Sequence, residues 1–395
     1  MTLTDSDDES REAKGLDGKG LGVEDESPGD GTIEEPFNPD DIDVTTKSMT
    51  VNLLLSRVRS KAIDLQPEFQ RRWGLWDEKR QSRLIESLLL RIPLPSLYAA
   101  EDRDERWEIV DGIQRLSTIA CFVDHKVLCD VDGHEGDVKP LKLSGLEYLK
   151  AYNGKTFEQL PSRFQLRLEE AELVVHLIRR GTPTAVKFNV FARINTGGVA
   201  LSPQELRHAL TPGPARKILE EWAKSEAFKR ATDNSVRSQR MDDREMVLRF
   251  LAYRLKPYQE YQANDREDFL IEAMAKINDL AKNRVDALRQ DFDAAMETAY
   301  DIFGLDAFRK RYNASNQRST INKALFEAIS VGLATLTDEQ RLKLVERRPL
   351  ICKGLIDLCS DWSFHNAISQ GVTEPAKVRR RFSEIEGLFA DVASG

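Results

Sequence analysis

Strand-like alternation is confined to the first half of this chain. It appears in SLYAA (96–100), RWEIV (106–110) and AELVVHLI (171–178), and then stops. From about residue 215 onward, segments such as EMVLRFLAYRL and NKALFEAISVGL carry apolar residues at helical spacing almost to the C-terminus. The sheet therefore has to come from the N-terminal half, and the C-terminal half has to close helix on helix. The expected fold class is α+β: a mixed domain over residues 48–210, followed by an all-helical domain over 211–395.

The net charge of −8 on 395 residues is unevenly spread. Residues 1–45 hold 15 Asp/Glu against 3 Lys/Arg, with six glycines and few large apolar side chains. Such a stretch cannot bury enough surface to offset the entropy of ordering it, so residues 1–47 are expected to form a disordered acidic tail. Without that −12, the remainder carries about +4, a mildly basic body compatible with a nucleic-acid partner. No apolar run approaches the roughly 18–20 residues of a membrane span. The start, MTLTDSDDESREAK, has neither the basic nor the apolar region of a secretory leader. Cys121, Cys129, Cys352 and Cys359 form no CxxC pair, which points to a reducing compartment. The expectation is a cytoplasmic protein with no membrane partner.

Local signals order the N-terminal half. A helix is expected in TVNLLLSRVRS, then an extended run leading into a Pro- and Trp-containing loop, KAIDLQPEFQRRWGLW. DEKRQSRLIESLLLR (77–91) places Leu84, Ile85, Leu88 and Leu89 on one helical stripe, which Pro93 and Pro95 end. SLYAA and RWEIV, joined by a polar turn at Asp102–Glu105, form a hairpin. Thr182 and Pro183 have the residue types of a helix start, and the turn at Asn195–Gly198 ends that helix. Ser202, Pro203 and Glu205 have the spacing of a capping box for the next.

The segment richest in chemistry is RWEIVDGIQRLST (106–118), a strand running through a glycine straight into a helix. Helix N-termini present N–H groups and the positive end of the dipole, which suits a phosphate. Gly112 lets an anion approach the backbone, Gln114 can hydrogen-bond it, and Arg115 can grip phosphate oxygens bidentately. Asp111 can orient an attacking water or hold Mg²⁺. The same residues also satisfy a purely structural pattern, with Asp111 as N-cap and Gln114 as the reciprocal partner of a capping box. Both readings stand at this level. No Walker-type GxxxxGK[ST] is present, so nucleotide chemistry would have to use this turn.

Taken in order, PEFQRRW (67–73), LIESLLLRIPLP, IVDGIQRLST and FARINTGGVALSPQELRHAL resemble the GmrSD restriction endonuclease N-terminal domain family over roughly residues 48–210. The resemblance implies a ParB/sulfiredoxin-like fold and nucleoside triphosphate binding and hydrolysis, with Mg²⁺, in an anti-phage restriction system. The family's Asp–Gly–Gln–Gln–Arg hallmark stands here as Asp111-Gly112-Ile113-Gln114-Arg115, with Ile113 in place of the first glutamine. Asp111, Gln114 and Arg115 are thereby catalytic candidates. Gln70, Arg71, Arg72, Gly112 and Arg115 become phosphate-binding candidates, together with Asn195, Gly197 and Gly198 of the Asn–Thr–Gly–Gly signature. Arg193 and Arg207 flank that signature. The His–Asn–His nuclease of two-part members has no counterpart among His125, His134, His176, His208 and His365. Cutting would then fall to a partner nuclease, with a methyltransferase as a further candidate partner, and the chain would act as sensor or regulatory subunit. A non-catalytic DNA-binding adaptor and a single-chain nuclease are the alternatives.

Weaker constellations complete the reading. Cys121, His125, Cys129 and His134 have spacings that invite zinc, but Cys121 sits on an apolar helix face and Cys129 in an expected strand, so no metal is assigned to them. Arg237, Arg240, Arg244 and Arg249 alternate with acidic residues as an ion-paired, solvated helix face. Lys377, Arg379, Arg380 and Arg381 have little acidic company and are candidate contacts to DNA phosphates. Self-association through the helical domain also stays open.

Overall fold

A computed structural model describes residues 13–14, 20–24, 43–65, 76–102, 104–129, 138–194, 201–238, 240–262, 266–313 and 318–394. Gln70, Arg71, Arg72, Asn195, Gly197, Gly198 and His134 lie outside the described residues. The chain divides into two compact units. One is Phe37–Leu201, and the other joins Ser202–Gly395 to the segment before residue 37.

The first unit is built on a five-stranded mixed sheet. In chain order it contains β1 (Val44–Thr50), α1 (Val51–Arg59), β2 (Ile63–Asp64), α2 (Glu78–Leu89), β3 (Leu97–Glu101), β4 (Trp107–Asp111), α3 (Ile113–Val123), α4 (Lys126–Cys129), α5 (Ser162–Glu169), β5 (Glu172–Ile178) and α6 (Thr184–Ile194). The strand order is β1-β5-β3-β4-β2. β1 runs antiparallel to β5, β5 parallel to β3, β3 antiparallel to β4, and β4 parallel to β2. The expected hairpin is therefore present. Asp102 closes its turn by accepting the amides of Asp104 and Arg106, both at 2.8 Å.

Alternation places Leu97, Ala99, Trp107, Ile109, Leu173, Val175 and Leu177 in the core, with α1, α2 and α3 contributing Leu54, Ile85, Leu89, Leu116 and Ile119. A Leu or Ile fully withdrawn from water contributes about 1.5–3 kcal/mol, so this layer dominates the unit's stability. β1 begins at Val44, ahead of the helix expected near residue 48, and its sequence VTTKSMT is mostly polar. It sits at the sheet's edge, where a polar strand costs little and discourages further pairing. Cys129, expected in a strand, instead ends the short helix α4. The Thr182 hydroxyl accepts the Asp43 amide at 3.2 Å, and the following helix is Thr184–Ile194.

The second unit is helical: α7 (Pro203–Leu210), α8 (Pro214–Ala223), α9 (Glu226–Ala231), α10 (Asp242–Leu255), α11 (Arg266–Asn278), α12 (Lys282–Phe303), α13 (Lys323–Thr335), α14 (Asp338–Glu346), α15 (Arg348–Ser360), α16 (Trp362–Ser369) and α17 (Pro375–Ser394). Ser202 and Glu205 form the expected capping box at α7. Cys359 is buried and Cys352 half-buried on α15, both as free thiols whose pKa burial raises.

Arg244 and Arg249, expected on a solvated face, are 1% and 3% exposed. Arg249 bridges Glu245 and Glu327, each at 2.7 Å, and Arg207 reaches Glu245 at 3.1 Å. Burial opposes the Glu245 charge, but Lys323, Arg249 and Arg207 hold its carboxyl well below the usual range. The expected pairing is present, and Arg237 and Arg240 do meet solvent. Arg244 and Arg249 do not, because besides the Arg249–Glu245 pair along α10 the network closes between α7, α10 and α13.

Part of the acidic N-terminal stretch also meets this unit. The Glu24 amide donates to Ile321 O and the Ile321 amide to Gly22 O, at 2.7 and 2.8 Å. The Glu24 carboxylate accepts Lys310 Nζ at 2.7 Å and Asn322 Nδ2 at 2.8 Å.

Candidate functional site at the Gly112 turn

Strand β4 delivers the chain to Gly112, and α3 leaves from it. Gly112 has φ +94°, which side-chain-bearing residues rarely adopt, and a Cβ there would lie 2.3 Å from Leu97 Cδ2. Only glycine fits this turn without displacing the core end of β3. Gly112 itself occupies the N-cap position, so the cap residue supplies no side-chain hydrogen bond.

That geometry overturns the capping-box alternative. The Asp111 carboxylate, instead of capping α3, accepts Arg115 Nη2 at 2.7 Å. Arg115 Nη1 donates to Pro95 O at 2.6 Å, so two ends of the guanidinium are fixed. The Arg115 side chain is 12% exposed and that of Asp111 40%, leaving the carboxylate at the wet edge of the pair. Gln114 is half-buried. Ile113 is 9% exposed and packs in the core, so the residue that departs from the hallmark serves packing. The structure thus brings Asp111, Gly112 and Arg115 together around the start of one helix.

Among the described residues, the other candidates belong to the second unit. On α17, Arg379 and Arg380 are exposed. Arg381 is fully buried, donating to Val372 O and Glu327 Oε2, both at 2.6 Å. Lys377 bonds Glu374 and Gln370 O. Arg381 is therefore an internal counter-ion and not a surface contact for DNA. Arg207 is likewise buried in its ion-pair network.

Two buried charges escaped the sequence reading. Glu86 on α2 accepts the amides of Glu147, Tyr148 and Leu149 at 3.0, 2.7 and 2.7 Å, pinning that loop. Burial alone would raise its carboxyl pKa, but those three amides hold it below the ordinary value. Lys187 on α6 is buried with its ammonium 3.3 Å from Glu101 O. Burial lowers its pKa against the opposing pull of Glu108, Glu101 and Asp102. A cavity of about 510 Å³ is lined by Trp76, Gln81, Cys121, Lys139 and Lys142 among others. It touches α3 at Cys121, far along the helix from Gly112.

A mixed five-stranded sheet with a strand–glycine–helix turn, followed by a helical unit, defines the structural class. Residues 51–211 match the model of the GmrSD restriction endonuclease, N-terminal domain, and this stretch of the chain is similar to that family. The match runs one helix past the first unit, to the residue after α7. No curated protein and no solved structure matches the chain. Among the described residues, no helix is long and apolar enough to cross a membrane.

Proposed function

We propose that this chain binds a nucleoside triphosphate at the Gly112 turn and hydrolyses it, as the sensor or regulatory part of a DNA restriction system. One observation carries the reading: Arg115, oriented by Asp111 and Pro95 O, stands in the first turn of a helix whose N-cap residue is a glycine. Phosphate oxygens would take the amides of that turn, and the guanidinium would balance their charge. Asp111, already an acceptor and partly exposed, would orient the attacking water. Among the described residues no three His, Cys, Asp or Glu gather into a metal cage. Mg²⁺ would be held by the Asp111 carboxylate and the bound phosphates. Mg²⁺ would neutralise phosphate charge.

Arg379 and Arg380 are exposed and supply sequence-independent contacts to a DNA backbone. Strand cleavage would come from a partner nuclease chain. The test is phosphate release from ATP, GTP, CTP and UTP with Mg²⁺, with and without DNA. Turnover that disappears in Asp111→Ala supports the reading. Absence of turnover with every nucleotide would leave a binding module and remove hydrolysis from the account.

A further inference from the structure

On the face of the sheet opposite the core, Thr46, His176 and Tyr98 stand side by side on three neighbouring strands, and Tyr98 is paired in turn with Asp111 at a register shift between β3 and β4. Thr46 of β1 is the backbone partner of His176 of β5, His176 of Tyr98 of β3, and Tyr98 of Asp111 of β4. In the regular β1–β5–β3 part of the sheet directly paired residues project to the same face, and strands lie about 4.8 Å apart. The bulge beside Tyr98 brings in Asp111 as its backbone partner on β4. The side chains bear this out. The Tyr98 and His176 rings are stacked with centroids 4.8 Å apart and planes at 29°, and Thr46 Oγ1 lies 3.0 Å from His176 Nδ1. Thr46 is exposed, and His176, Tyr98 and Asp111 are all partly exposed. The row ends on the Asp111–Arg115 pair.

We propose that the Tyr98–His176 stack is the subsite for the nucleobase of the nucleotide whose phosphates lie at Gly112 and Arg115. A cross-strand aromatic pair could serve the sheet alone, but this one lies one strand from the proposed phosphate site and remains partly open to solvent. A purine or pyrimidine ring adds to such a stack through its π-face, and every base has one. The subsite therefore binds all four bases and supplies affinity more than base identity. The inference rests on the proposed phosphate site, and the experiment separates the two.

Calorimetry on the full chain with Mg²⁺ would compare ATP, CTP and inorganic triphosphate as ligands for wild type, Tyr98→Ala, Tyr98→Phe and Arg115→Ala. The expected result is a roughly five- to hundredfold loss of ATP and CTP affinity in Tyr98→Ala, with Tyr98→Phe near wild type. Inorganic triphosphate would bind Tyr98→Ala and wild type alike. Unchanged nucleotide affinity in Tyr98→Ala overturns the subsite. So does an equal loss for inorganic triphosphate, which would mean that Tyr98 only supports the fold, or a loss in Tyr98→Phe as large as in Tyr98→Ala. If Arg115→Ala binds inorganic triphosphate like wild type while Tyr98→Ala loses nucleotide, the stack stands and the phosphate site falls.

Discussion

Asp111 and Arg115 lie 2.7 Å apart across Gly112, one at the end of a strand and the other in the first turn of the helix it feeds. The strand fixes the carboxylate and the helix fixes the guanidinium, so the turn between them sets their spacing. Asp111→Ala leaves Arg115 held by Pro95 O alone. This variant is expected to keep nucleotide affinity within a few-fold and to lose at least 10²-fold in phosphate release, the scale of a lost general base. Steady-state turnover and calorimetry on the same preparation check both halves. Turnover close to wild type would remove Asp111 from the chemistry.

Gly112→Ala tests the turn itself. The left-handed backbone costs about 1–2 kcal/mol for a residue with a Cβ, and Leu97 Cδ2 blocks the added atom at 2.3 Å. The expected outcome is a lower Tm together with loss of nucleotide binding, followed by thermal unfolding with and without ligand. A variant with wild-type Tm would contradict the close packing of β3 against this turn.

Arg381→Ala is expected to destabilise the protein by about 2–4 kcal/mol, because it leaves the buried Glu327 carboxylate with Arg249 as its remaining arginine and opens a cavity where the buried side chain stood. Arg379→Ala and Arg380→Ala, both at exposed positions, should stay within about 0.5 kcal/mol of wild type. Urea unfolding of the three variants reads the difference directly. Equal stabilities would mean that Arg381 is not the internal counter-ion described above.

The contrast between Arg379 and Arg381 also marks what the sequence could tell. Helix α17 was legible from its apolar spacing, but four neighbouring basic residues look alike until the position of Glu327 on α13 is known. In the first unit, β3, β4, β5 and their hairpin were readable from their apolar, strand-like runs, with clean alternation of burial in β5 and both faces largely buried in β3 and β4. The edge strand β1 was not, because VTTKSMT carries almost no apolar signal. The Asp111–Gly112–Arg115 turn was visible as a motif, yet its two readings differed only in where the Asp111 carboxylate points. Glu86 gave no signal at all, since its partners are backbone amides about sixty residues away.

Glu86 predicts a pH dependence. Its carboxyl is held below the ordinary 4.5, so the ionised form favours the native state. That stability is fully present above the unfolded-state value and is lost as the pH falls through the lower native value. Glu86→Gln should cost about 1–3 kcal/mol at pH 7, and the gap to wild type should narrow between pH 5 and pH 3. Thermal unfolding across that range decides the point. A gap independent of pH would contradict the assigned ionisation.

The most direct test of the central claim is equilibrium binding of nucleotides to the full chain and to Arg115→Ala. The guanidinium donates to both Asp111 and Pro95 O, and its loss should weaken binding of ATP, GTP, CTP or UTP by about 10²-fold or more. Nucleotide bound equally well by Arg115→Ala and wild type would place the phosphates somewhere other than the Gly112 turn.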